Sequence, residues 1–313
     1  MTFTGAAGVL LLCMLAASVR ANIFDAIKCT TLGENCKEGS GENGGDSMAA
    51  PLDSAPAGAV DHSLWDDVVK SIVIPNAERE GIQFNAINYD LLRTDAALRQ
   101  KHDAYINMLS KVDFKSLPKD EAVAFLINAY NAFTVDVIVK ENPESSIRDL
   151  SDASGAVFDR FKWTLTVDGQ QQEVSLNDVE HRLLRGEVSG NDEPRIHAAV
   201  NCASLSCPDL RAEAYTGDKL EDQLQEQMII WLQNEGKGLR VDKENNEIHM
   251  STIFGWFRDD FVSTDAGGKN DLISTSEPID YALQFATEEV KAFVEANSPT
   301  VKLMPYNWGL VNP

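Results

Sequence analysis

Basic residues are scarce in this chain: its 313 residues hold 27 Lys and Arg against 49 Asp and Glu, a formal net charge of −22. The deficit is spread along the sequence. No basic stripe can neutralise a phosphate backbone, so nucleic-acid binding is not expected. So acidic a balance serves solubility and self-repulsion. Asn-x-Ser/Thr sequons are absent, since Asn297-Ser298 is followed by Pro299, and N-glycosylation is not expected. There is no internal repeat, no G-x-S-x-G elbow for a serine hydrolase, and no tight H-x-x-x-H or C-x-x-C spacing for a metal. No cofactor is expected. Cysteines are few: Cys13, Cys29, Cys36, Cys202 and Cys207.

What is present begins with a short apolar run, Gly8 to Ala17, followed by Val19-Arg20-Ala21 with small or apolar residues at the −3 and −1 positions of a cleavage site. A signal peptide over residues 1–21 is expected, although its positive n-region is missing. The run is too short to span a bilayer comfortably, and no other segment is read as membrane-spanning. The mature chain is therefore expected to be secreted or lumenal, without an integral membrane segment. Four cysteines remain after cleavage, an even number that allows three connectivities in an oxidising compartment. The local pairs Cys29–Cys36 and Cys202–Cys207 are the simplest.

Residues 37–60 are rich in Gly, Ser, Ala and Pro and nearly devoid of large apolar side chains, the composition of a flexible linker. A flexible N-terminal segment over 22–63 and one α+β domain over 64–313 follow. The spacing predicts a helix over 95–112 and a second from Pro118 to Glu141, stopped by Asn142-Pro143. The second is apolar almost all round, which marks a helix buried on most sides. Asn128 and Asn131 interrupt it one turn apart. They either bond loop backbone and lock packing, the favoured reading, or line a site. A hairpin is expected around Asp168-Gly169, then a short helix with Ser175 as N-cap that Gly186 ends. At 100° per residue Glu180 falls among Leu176, Leu183 and Leu184, at the centre of that helix's apolar face. His181 sits at the edge, and Arg182 and Arg185 point away. A buried Glu180 is either a structural ion-pair partner or an acid/base group. Further on, Asp218 and Glu221 cap a helix closed by Gly236. A hairpin surrounds residues 243–246, residues 253–261 are helical and aromatic, and a last helix covers 279–296.

Residues 195–208 concentrate the reactive chemistry: Arg195, His197, Asn201, Cys202, Ser204, Ser206 and Cys207. Short apolar residues between Pro194 and Pro208 predict a strand over 195–202. Its alternation puts Arg195, His197 and Asn201 on one face and Cys202 on the other. A thiol hydrolase would use Cys202 as nucleophile, His197 or His181 as base, and Glu180, Asn128 or Asn131 as orienter. A zinc site would gather His181, His197, Glu180 and Cys202, without supporting spacing. The purely structural reading, favoured for a secreted protein, is a Cys202–Cys207 disulfide.

Five segments in order, AFLINAYNAF (124–133), SLNDVEHRLLR (175–185), PRIHAAVNCASLSCPDLRAEAY (194–215), STIFGWFRDDF (251–261) and PYNWGLVN (305–312), resemble the family called domain of unknown function 547. The resemblance spans roughly residues 80–313 and carries no established activity. It implies one helix-rich α+β domain with a small, mostly antiparallel sheet, similar to the papain/transglutaminase-like group. There a cysteine on a buried helix faces a histidine on a strand. The helix over 121–141 holds no cysteine, which departs from that pattern. Two functions stay open. One is a hydrolase or acyl transferase using His197, Glu180, Cys202 and His181, with Asn128, Asn131, Asn201 and Arg195 lining the pocket. The other is a non-catalytic domain that binds a small molecule, peptide or glycan.

Overall fold

Trp65, Val68, Val69 and Ile72 recur at helical spacing, and helix α1 (Ser63–Ile72) buries all four on one face. The computed structural model describes residues 58–153, 155–190, 193–262 and 277–313. The chain divides into two units, Met1–Ser54 and Ala55–Pro313, and every described residue belongs to the second. The signal peptide expected over 1–21, most of the segment 22–63 and the Cys29–Cys36 pair lie outside the described residues. The last residues of that segment are built into the domain. The Val60 N–H donates to Glu121 at 2.8 Å, and His62 is buried.

Strands β1 (Val73–Arg79) and β2 (Ile82–Ile87) form an antiparallel hairpin, followed by α2 (Tyr89–Thr94) and α3 (Ala96–Leu109). The Asp95 carboxylate caps α3 by accepting the Ala97 and Leu98 N–H groups. Helix α4 (Lys119–Glu141) runs as its sequence dictates. Pro118 is its N-cap, Asp120 and Glu121 occupy the first turn, and Asn142 closes it in the left-handed region at φ 48°. Its length and composition would suffice to cross a membrane, yet that apolar window is wholly buried inside the domain. The single turn α5 (Val157–Arg160) leads into strands β3 (Trp163–Val167) and β4 (Gln170–Val174). Asp168 and Gly169, both at positive φ, make the tight turn the sequence predicts.

The next helix departs from expectation. From Asp178 to Val188 it is a π-helix that runs through Gly186, and its end is marked by the i→i+5 bond from Ser189 N–H to the Leu184 carbonyl. Its start is as predicted: Ser175 N–H donates to Asp178, whose own N–H donates back to the Ser175 hydroxyl. The wider turn invalidates a 100° wheel. Arg185, expected to point away, swings inward.

The strand expected over 195–202 is instead a helical turn, α6 (Ile196–Ala199). Ile196 through Val200 are all buried, so alternation of residue type carries no information about a face. Local bonds from the N–H of His197 to Pro194 and of Ala198 to Arg195 close the turn. The separation of His197 from Cys202 by strand parity therefore does not apply.

Helix α7 (Leu220–Leu232) has Lys219 rather than Asp218 as its N-cap, because Glu221 is committed to Arg195 and Asp218 to Thr216; its C-cap is Gln233, before Gly236. Strands β5 (Leu239–Asp242) and β6 (Glu247–Met250) form the expected hairpin. The aromatic segment makes two separate turns, α8 (Ile253–Trp256) and α9 (Arg258–Phe261). The last helix is likewise divided, into α10 (Pro278–Leu283) and α11 (Glu288–Asn297). The tail then adds β7 (Thr300–Leu303) parallel to β6. The architecture is a helix-rich α+β domain with, among the described residues, three small sheets, antiparallel except for that last pairing. Its apolar interior forms two clusters, a large one built on α4 and a smaller one around Trp231, Phe254, Phe261 and Tyr281.

Candidate functional site

Helix α4 fixes the reactive segment through its two asparagines. Asn131 donates to the Ala199 carbonyl at 3.0 Å and accepts the Asn201 N–H at 2.8 Å. Asn128 does the same for Tyr215, donating at 2.7 Å and accepting at 3.0 Å. Both amides are spent on backbone, which satisfies groups that burial would otherwise leave unpaired. Asn201 continues the pattern, donating to the Pro208 carbonyl at 2.7 Å and accepting the Ala203 N–H at 2.9 Å. The turn needs Ala203 at φ 62°, a left-handed conformation that favours glycine. On the far side the C-terminal tail pairs with the segment, through Leu205 N–H to Gly309 and Val311 N–H to Ala203.

A half-open cavity of about 620 Å³, counting the space at its mouth, opens beside this loop where the two apolar clusters meet. His197, Val200, Cys202 and Cys207 come to it from the reactive segment, Tyr130 from α4, and Glu180 and His181 from the π-helix. Phe257 and Trp256 close it from the aromatic turns, and Tyr306 and Trp308 from the tail.

Cys202 is half-buried and Cys207 buried, and both are free thiols. The Cys202 sulfur lies 3.0 Å from the Cys207 sulfur, 3.1 Å from the Ser204 hydroxyl and 3.2 Å from the Tyr306 hydroxyl. Each neighbour can donate to a thiolate. The contact with Cys207 first, then Ser204 and Tyr306, lowers the Cys202 pKa against the opposing effect of burial. Burial pushes the Cys207 thiol well up, and the adjoining Cys202 sulfur adds to it. Burial likewise raises the Tyr306 and Tyr130 hydroxyls well above their ordinary value, so both stay protonated donors. The Glu180 carboxylate adds to the effect on Tyr130.

Across the cavity His197 donates from Nε2 to Asp260 at 2.6 Å, which leaves Nδ1 as its other ring nitrogen. Asp260 also accepts two bonds from Arg185, both at 2.8 Å. Burial alone would raise the Asp260 pKa. The bonds from His197 and Arg185 outweigh it and hold the carboxyl at about 2. Phe257 stacks on the His197 ring at 4.1 Å, and the Arg185 guanidinium lies 5.0 Å from the same Phe257 centroid. The imidazole is thus fixed in plane and direction. Glu180 keeps 12% of its side chain exposed, whereas His181 stands at the rim with 40% exposed.

Of the residues singled out from sequence, the cavity brings together His197, Glu180, His181, Cys202 and Cys207. Asn128, Asn131 and Asn201 stand behind its wall as backbone clamps, and Arg195 is paired with Glu193 and Glu221. Among the described residues no hydrogen bond joins His197 to Cys202, and the proposed zinc ligands do not form a cluster of ligand spacing. Among the described residues such a cluster occurs at Asp242, Glu247 and His249, where Asn245 and Lys302 already engage the carboxylates. Sequence reasoning missed Asp260, Arg185, Tyr130 and Tyr306. Asp260 carried one usable signal, since it lies between Phe257 and Phe261 in an aromatic helical stretch where an acid needs a partner. No curated protein and no solved structure matches the chain. Residues 114–232, which include the motifs at 124–133, 175–185 and 194–215 but neither Asp260 nor Tyr306, match the family described as "Protein of unknown function, DUF547", and over that stretch the chain is similar to it.

Proposed function

We propose that the cavity is an acyl-transfer centre, a hydrolase or acyl transferase in which Cys202 is the nucleophile and His197 the proton carrier. One observation carries the reading: the Cys207 sulfur and the Ser204 and Tyr306 hydroxyls lie 3.0, 3.1 and 3.2 Å from the Cys202 sulfur, inside a cavity that also holds the His197–Asp260 pair. A thiolate stabilised by donors needs no abutting base. His197 is then free to serve the substrate, held in direction by Asp260 and Arg185.

The thiolate attacks the carbonyl carbon of an ester or amide, a carbon–sulfur bond forms, and protonated His197 gives its proton to the departing oxygen or nitrogen. Water or an acceptor hydroxyl or amine then attacks the thioester, neutral His197 takes its proton, and the Cys202 thiolate leaves. Tyr130, protonated beside Glu180, donates to the developing oxyanion. The acyl donor is a small molecule, peptide or glycan ester that enters past Trp256. The site differs from the papain-like plan: here histidine and cysteine come from one short segment, His197 on a helical turn.

The apolar run Gly8 to Ala17 supports a secreted or lumenal compartment. In that setting the 3.0 Å approach of the two sulfurs favours a second reading, a non-catalytic peptide- or glycan-binding domain with Cys202 bonded to Cys207. Treating the reduced protein with p-nitrophenyl acetate separates the two. A nitrophenolate burst with an acetyl group on Cys202, both lost in Cys202→Ser, supports acyl transfer. Acetylation elsewhere, or an equal burst from the variant, contradicts it.

A further inference from the structure

We propose that Cys202 and Cys207 form a reversible dithiol–disulfide couple, an oxidation site built into the cavity wall. The two sulfurs stand 3.0 Å apart, about 1 Å beyond a disulfide bond length, so closure needs a small movement. Bonds that do not involve sulfur already hold the loop between them. Asn201 ties Ala203 and Pro208 together, Asn131 fixes Asn201, and the Cys207 N–H donates to the Ser204 carbonyl at 3.0 Å. The fold therefore keeps its shape with the sulfurs bonded or apart, as a reversible couple requires.

The pair is also asymmetric. Cys202 is half-exposed to the cavity, whereas Cys207 stands behind it at 4% exposure. An oxidant entering the cavity meets Cys202 first, and Cys207 is placed to resolve the product. Their ionisation follows the same order, the outer thiol lowered and the inner raised.

With a small-molecule disulfide RSSR as oxidant, the Cys202 thiolate attacks one sulfur to form a mixed disulfide and releases RS⁻. The Cys207 thiol then gives its proton to that thiolate and attacks the Cys202 sulfur, which releases the second RS⁻, and this takes up from solvent the proton that Cys202 lost on ionising. Two protein thiols are oxidised and RSSR is reduced to two thiols. A dithiol reductant reverses both steps. That oxidation also switches acyl transfer off rests on the function proposed above; the couple itself does not.

The test uses the native full chain equilibrated across ratios of oxidised to reduced glutathione, alkylated with iodoacetamide and mapped by peptide mass. The expected result is joint loss of alkylation at Cys202 and Cys207, restored by dithiothreitol without unfolding. In Cys207→Ser, oxidation should stop at a stable glutathione adduct on Cys202. Continued labelling of both thiols in fully oxidised buffer would overturn the proposal. So would a wild-type adduct on Cys202, or a bond that opens only after denaturation. No activity is read, so failure of the couple and failure of acyl transfer remain distinguishable.

Discussion

Lowering the pH from 7 to 5 protonates two histidines in the unfolded chain that the fold keeps neutral. His62 is 3% exposed, with Nδ1 bonded to the Tyr105 hydroxyl at 2.7 Å and a buried Nε2 that has no hydrogen-bond partner. His102 is wholly buried beside Trp65, and among the described residues neither ring nitrogen has a hydrogen-bond partner; a carboxylate oxygen of Asp136 is 3.7 Å away. Burial pushes both from 6.5 down to about 4, against the smaller upward pull of Asp61 on one and Asp136 on the other. The unfolded chain takes up each proton near pH 6.5, so their contribution is intact above that value and declines as pH falls toward 4. Between pH 7 and 5 the loss is about 2 kcal/mol per histidine, about 4 kcal/mol together. That is a large share of an ordinary domain's stability. Asp178 and Asp260, held at about 2, act in a different window, because their contributions fade only as pH falls below 3.8. Urea unfolding followed by tryptophan fluorescence at pH 7, 6 and 5 measures the effect. His102→Leu should remove half of it and exceed the wild type at pH 5 by about 2 kcal/mol. Equal stability at pH 7 and 5, or a His102→Leu variant as acid-sensitive as the wild type, would refute the reasoning.

Asp260→Asn leaves the Arg185 guanidinium and His197 without their shared charge, and should cost about 2–4 kcal/mol at pH 7 in chemical unfolding. It should also slow any acyl transfer at saturating substrate, since His197 loses its orienting anion. Asn131→Ala strips the partners from the Ala199 carbonyl and the Asn201 N–H, for about 2–5 kcal/mol by thermal or urea unfolding. Asn131→Asp should not restore it, because a carboxylate would face the Ala199 carbonyl.

Legibility followed the range of the interactions. Helix α4, the turn at Asp168-Gly169 and the β5–β6 hairpin were readable because periodicity, capping and turn residues act within a few positions. The Ser175–Asp178 cap was readable for the same reason. The π-helix was not, since one extra residue per turn leaves no mark in the pattern of Leu183 and Leu184. Residues 195–202 have the composition of a strand yet form a helical turn, because a short segment buried on all sides has no face to reveal its period. The role of Asn131 as a backbone clamp agreed with the packing reading of the buried amides. The His197–Asp260 bond spans 63 positions, and nothing local announces it.

The central claim is that Cys207, Ser204 and Tyr306 lower the Cys202 pKa and so favour its thiolate. Its most direct test is the iodoacetamide alkylation rate of Cys202 in the reduced protein against pH, followed by peptide mass. The account expects an inflection below that of an ordinary thiol, moved upward in Tyr306→Phe and in Ser204→Ala. An inflection at or above the ordinary thiol value, unmoved by either substitution, would contradict it.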